Sequence, residues 1–212
     1  MTRPYRAQSL DRRLYGVFSG IVEDNDDPEH EGRVTLRFPW LDDATVSGWC
    51  RVVQPYAGPG FGAVFVPEKQ CEVLVAFVHG DMTEPIVLGG LFNGVDKPPA
   101  FHHGTDQDIK LIRTKAGHVL RLDDSAGARA IELATAGGHQ VELDDQAARL
   151  TISTAGKHRI ALDDRAQTIE IHAGGGVGKV TIDATGHITI EGGSITARGS
   201  AIALSAPHID IG

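Results

Sequence analysis

The sequence predicts an all-β protein in two parts, a small closed barrel followed by a slender β-prism whose core three chains share. Three observations carry this. Glycine is abundant at 26 of 212 residues and aromatics make up only 6%, a mix that suits short strands and tight turns. Residues 15–93 hold brief apolar runs cut by Gly, Pro and Asp clusters. From residue 108 the apolar residues fall in pairs at i, i+2, beside a recurrent Leu-Asp-Asp at 122, 143 and 162.

Hydrophobic residues at 41% are enough for a packed core, so disorder is not expected. The formal net charge of −8 argues against a nucleic-acid partner, which would need clustered Lys and Arg. The N-terminus "MTRPYRAQSLDRRLYG" has no apolar stretch, so no signal peptide is expected. No run approaches the ~20 apolar residues of a membrane helix, and assembly in the cytoplasm follows as the expectation.

Taken in order, residues 1–14 read as a loose or partner-bound arm. Residues 15–93 then supply the runs "YGVFSGIVE", "GRVTLRFPW", "GWCRVVQP", "GFGAVFVP", "CEVLVAFVHG" and "PIVLGGLF". Five or six such strands with turn signals between them predict a barrel, which hides the open edges of its sheet. Cys50 and Cys71 sit inside two of these runs and are expected to be reduced, buried packing residues. Residues 94–107 contain Pro98-Pro99, which cannot continue a ladder, and read as a linker in which His102 and His103 are solvated.

From 108 to 212 the pairs run from Ile109/Leu111 through Leu120/Leu122, Ile131/Leu133 and their successors to Ile202/Leu204 and Ile209/Ile211. Residues at i and i+2 leave the same face of a strand. The near-repeats "TKAGHVLRLDD", "TAGGHQVELDD" and "TAGKHRIALDD" recur at a period near twenty, a signature of stacked β repeats. Two inward residues per strand are too few for one chain to enclose a core. Three chains, each supplying one wall, can do so. From Gly186 the spacing tightens and side chains shrink, as a slim, stiff rod requires.

"HAGGGVGKV" (172–180) is a poor phosphate loop, because Ala173 replaces the first glycine and Val180 the metal-binding hydroxyl. It reads as a stretched turn. His118, His139 and His158 fall by parity on the face of the apolar pairs and are expected to hydrogen-bond a neighbouring chain. The Asp-Asp pairs read as solvated turn residues. No nucleophile motif brings Asp, His and Ser together, so no enzyme activity is expected.

Residues "YGVFSGIVEDNDDPEHEGRVTLRFPWLDD", "RVVQPYAGPGFGAVFVPE" and "EVLVAFVHGDMTEPIVLGGLFNGVDKPP" resemble the OB-fold domain of contractile-tail spike proteins. These are the phage baseplate assembly protein V family and the spike part of VgrG proteins. The "TAGGHxIxLDD" repeats resemble their intertwined trimeric β-helix. The resemblance covers about residues 15–212. It implies a homotrimeric central spike of a contractile injection machine, docking on the hub and tail tube and making transient contact with a target envelope. About fourteen residues precede the barrel, so the hub is expected to be a separate chain. The linker leaves no room for a lysozyme domain.

Some relatives end in a His-x-His that holds an apical metal. Here His208 and Asp210 are the candidates, and no other cofactor is expected. The alternative is that Pro207, His208, Ile209, Asp210, Ile211 and Gly212 seat a separate PAAR-type tip protein, since an uncapped end exposes apolar surface and unpaired backbone. Two competing readings are an OB-fold module that binds nucleic acid or saccharide, and a trimeric tailspike acting on polysaccharide.

Overall fold

The computed structural model describes residues 13–99, 107–203 and 205–210. The chain divides between Pro98 and Pro99 into two compact units.

The first unit contains β1 (Val17–Asp24), β2 (Thr35–Phe38), β3 (Asp42–Val46), β4 (Arg51–Val52), β5 (Tyr56–Gly58), β6 (Phe61–Ala63), β7 (Glu72–Phe77) and β8 (Pro85–Gly90). Six of these form one sheet in the order β3-β2-β1-β7-β8-β4, with β4 and β8 parallel and the other pairs antiparallel. A bridge between Val34 and Cys50, made by two backbone hydrogen bonds of 3.0 and 2.7 Å, joins the start of β2 to the start of β4. That bridge closes β1, β2, β4, β8 and β7 into a ring.

Period-two alternation fills the ring. Val73, Val75 and Phe77 point inward from β7, and Val22, Val34, Leu36 and Val87 complete a core with no solvent exposure at most of its members. Cys50 belongs to this core, and burial pushes its thiol pKa up. Cys71, expected to be buried, is exposed. It lies one residue before β7, in a turn where its N–H bonds to Glu68 O at 3.1 Å, so the strand's inward alternation does not govern it.

Two further elements depart from expectation. β3 has no apolar run to announce it; Asp42 organises it by accepting from Ala44 N at 2.9 Å and Thr45 Oγ1 at 3.0 Å. "GFGAVFVP" does not join the barrel. Only Phe61–Ala63 is strand, paired with β5 in a separate hairpin, and Val64 and Phe65 stay exposed.

The acidic loop between β1 and β2 is ordered by one carboxylate. Asp27 is buried and accepts from Arg33 Nε and Nη2 and from the backbone N–H groups of Glu29, Glu31 and Arg33, at 2.8–3.2 Å. The Arg33 guanidinium beside it holds its carboxyl well below the usual carboxylate range. Of the expected N-terminal arm, residues 1–12 lie outside the described residues. Leu14 packs against the barrel core and donates its N–H to Gly80 O at 2.9 Å.

The second unit is one antiparallel meander of nine strands. They are β9 (Ile109–Arg113), β10 (Val119–Asp123), β11 (Ala130–Ala134), β12 (Gln140–Asp144), β13 (Arg149–Ser153), β14 (Arg159–Asp163), β15 (Thr168–His172), β16 (Lys179–Asp183) and β17 (Ile188–Glu191), each paired with its sequence neighbour. The period near twenty is therefore two strands and two turns. The expected linker residues 100–106, with His102 and His103, fall outside the described residues.

One kind of turn explains the Thr-x-x-Gly-His echo. Thr114 N donates to His118 O, Gly117 N to Thr114 O, and His118 N to Thr114 Oγ1, at 2.9–3.1 Å. The set recurs at 135–139 and 154–158, and at 183–187 with the Asp183 carboxylate in place of the hydroxyl. The fourth position needs a left-handed backbone: φ is 93° at Gly117, 85° at Gly138 and 80° at Gly186. Lys157 fills that position in the third turn at φ 64°, where a Cβ is strained. Lys157→Gly is therefore expected to stabilise the fold by about 0.5–1 kcal/mol, the relief of strain exceeding the added freedom of the unfolded chain. A thermal melt checks it; a lowered midpoint would show that the lysine contributes more than its backbone costs.

Beyond Glu191 the expected pattern of strands is not continued within the chain. No strand is formed among the described residues of 192–210. Ile202 and Ile209 are exposed; Leu204, Ile211 and Gly212 are outside the described residues.

Candidate functional site

The surface that stands out is one face of the meander. Leu120, Leu133, Val141, Ile152, Ile160 and Ile171 are successive cross-strand partners, and the row continues to Val180 and Ile190. A second row beside it joins Leu122, Ile131, Leu143, Leu150, Leu162 and Ile169, then Ile182 and Ile188. Cross-strand partners share a face, so these sixteen side chains make one unbroken aliphatic surface. It is open to solvent: Leu133 is 50% exposed, Ile171 47% and Ile188 59%. An aliphatic surface this long is not left wet in a stable protein.

The first pair departs from expectation. Ile109 and Leu111 pair with Asp123 and Arg121, which places them on the opposite face; Lys110 and Ile112 stand in line with the two rows. Parity explains it: the 114–118 turn keeps the register of its equivalents, Ile112 facing Leu120 as Leu133 faces Val141, so residues 109 and 111 stand one place out of phase with the rows, and one place reverses the face.

The opposite face is polar and cross-linked. Glu170 accepts from Arg159 Nη2 at 2.9 Å and from Lys179 Nζ at 3.0 Å, with His172 Nε2 at 3.3 Å. The Lys179 bond, more than any other contact, holds the Glu170 carboxyl below its ordinary range. Arg149 pairs with Asp163, and Arg121 with Asp123 and Glu132. Such half-exposed pairs are individually weak. Their effect is to mark this face as the one for water.

The turns form the two margins of the apolar face. At one, His118 and His139 border Leu133, Val141 and Ile152, and His158 borders Ile152, Ile160 and Ile171. The parity expected for these histidines is observed, but their visible partners are in the same chain. His118 Nδ1 accepts from Ala136 N at 3.4 Å, and His158 Nδ1 from Gly174 N at 3.0 Å. At the other margin, Asp124, Asp145 and Asp164 border Leu122, Leu143 and Leu162.

The Asp-Asp pairs split in role, which the sequence reading missed. The first member is structural: Asp123, Asp144 and Asp163 accept from Ser125 N, Ala147 N and Ala166 N, at 2.7–2.9 Å, and Asp123 is buried. The second members line the margin. Alternation along the strand was the signal available, since the first Asp falls on the face of Arg121 and Thr151 and the second lies past the strand end.

"HAGGGVGKV" is the β15–β16 turn, in which Ala173 N donates to Gly178 O at 2.9 Å. No cluster of three or more His, Cys, Asp or Glu with metal-site geometry occurs among the described residues. Of the expected tip residues, Pro207, His208, Ile209 and Asp210 are exposed, while Ile211 and Gly212 are outside the described residues. No helix among the described residues is long and apolar enough to cross a membrane.

The two units are thus a small closed barrel and a nine-stranded meander with one aliphatic and one polar face. Residues 18–92 match the "Type VI secretion system/phage-baseplate injector OB domain". The chain is 27% identical over 139 residues to the type VI secretion system spike protein VgrG3 of Vibrio cholerae, covering 62% of this chain and 14% of that protein. It is 31% identical over 125 residues to the actin cross-linking toxin VgrG1 of Vibrio cholerae (57% and 10%). It is 30% identical over 124 residues to the spike protein VgrG2a of Pseudomonas aeruginosa (57% and 13%). The chain is similar to type VI secretion and phage-baseplate spike proteins, and residues 18–92 carry their OB domain. It spans 10–14% of the length of these relatives, the spike part alone.

Proposed function

We propose that three copies of this chain form the central spike of a contractile injection machine. The observation that carries the proposal is the double aliphatic row, open along eight consecutive strands of a single-layer sheet. One sheet has no second layer to cover that face. Three sheets turned inward about an axis cover one another and present their charged faces to water, with each fully buried aliphatic side chain contributing about 1.5–3 kcal/mol.

In this reading the barrel seats the spike on a separate hub and the tail tube, and the meander is the shaft. The exposed C-terminal residues Pro207–Asp210, with Ile211 and Gly212, receive a PAAR-type tip protein. The work is mechanical and needs no cofactor. The particle is assembled in the cytoplasm, and contraction drives the shaft through the target envelope. With a formal net charge of −8 per chain, the spike is disfavoured from sticking to an anionic membrane in passage.

Sedimentation equilibrium of the full chain is the test. A stable trimer at micromolar concentration is the expected result, and a stable monomer overturns the proposal.

A further inference from the structure

The two margins of the apolar face differ, and the difference specifies how copies meet. His139 and His158 stand at one margin and Asp145 and Asp164 at the other. In His158 the Nδ1 atom accepts a backbone N–H, so the ring's proton sits on Nε2. Among the described residues of the chain, that Nε2–H and the carboxylates of Asp145 and Asp164 have no side-chain partner. Asp124, by contrast, is already taken by Lys110 Nζ at 2.6 Å.

We propose that these margins are the two halves of one contact: the histidine margin of each copy docks against the aspartate margin of the next, imidazole N–H donating to carboxylate. The inference rests on the trimer reading and adds which margins meet and by what contact. In any ring of sheets with their apolar faces inward, the left edge of one wall must meet the right edge of its neighbour. A heterologous contact of that kind closes only if the edges are complementary. Here one edge offers donors and the other acceptors, at matching intervals of two strands along the shaft. Like edges would set carboxylate against carboxylate, so the same arrangement disfavours a face-to-face dimer of antiparallel copies.

Thiol cross-linking of the full chain tests it. In a Cys71→Ser background, where the exposed native thiol is removed, His139→Cys and Asp145→Cys are made singly and together. Within one chain the two positions are six residues apart along an extended strand, roughly 20 Å, so a linker of about 8 Å cannot join them. The double variant is expected to run as covalent dimers and trimers on a denaturing gel, and each single variant as a monomer. His158→Cys with Asp164→Cys repeats the test one repeat further on. Covalent dimers from a single variant would show like margins meeting and overturn the proposal. So would double variants that sediment as trimers yet never cross-link. Sedimentation as a monomer overturns the trimer itself, which separates the two failures.

Discussion

Ile160→Asp is expected to leave the chain monomeric while both of its units stay folded. Ile160 is the centre of its row, flanked by Ile152 and Ile171 across the strand pairs. It is 38% exposed in the single chain, so the substitution meets water there and disturbs little. In the proposed trimer three copies of that side chain converge. The change removes about 1.5–3 kcal/mol of burial per copy and sets three carboxylates into an apolar core, where an unpaired charge is far more costly than a lost methyl group. Sedimentation reads the association. Fluorescence of Trp40 and Trp49, both in the first unit, reports whether the barrel still folds. Thr151→Lys is the matched control: Thr151 lies on the wet face opposite Glu142, and this variant is expected to remain trimeric. A trimeric Ile160→Asp would show that some other surface holds the copies together.

Gly174→Ala is the second large effect, and it acts within the chain. The β15–β16 turn lies so close against the β13–β14 turn that a Cβ at Gly174 would come within 1.7 Å of Gly156 O and 2.7 Å of Lys157 C. Backbone atoms cannot rotate aside, so one whole turn must move. Doing so stretches the bond from Gly174 N to His158 Nδ1. A loss of about 1–3 kcal/mol, the usual penalty for overpacking, is expected as a lowered melting temperature. Gly176→Ala, two residues on, meets only Gly178 N at 3.9 Å and is expected to melt like the parent. Equal midpoints for the two variants would refute the close approach of the turns.

Much of this architecture is legible from the residues. In the second unit alternate apolar pairs and recurring Thr-x-x-Gly-His turns specify strands of five residues, because side-chain direction has a period of two and a left-handed turn position favours glycine. In the barrel, β7 announces itself by inward Val73, Val75 and Phe77. β3 does not, because Asp42 and backbone bonding, not apolar side chains, hold it in place. Cys71 misled for a related reason: it adjoins an apolar run but stands at the turn before β7, where its side chain is exposed. Of the candidate site, the aliphatic rows were readable, whereas the buried role of Asp123 and the in-chain partners of His118 and His158 were not. The histidine contacts join residues sixteen and eighteen positions apart, and their existence depends on which turns stack.

By itself the sequence determined that this chain is built of strands, that it has two parts, and that its second part has apolar side chains one sheet cannot hide. These follow from local rules, the alternation along a strand and the conformational needs of a turn. Only the tertiary structure decided the register, and with it that Lys110 and Ile112, not Ile109 and Leu111, continue the apolar rows. It alone separated a histidine margin from an aspartate margin. Register depends on hydrogen bonds between strands and a slip of one residue inverts a face, so no stretch read in isolation contains that choice.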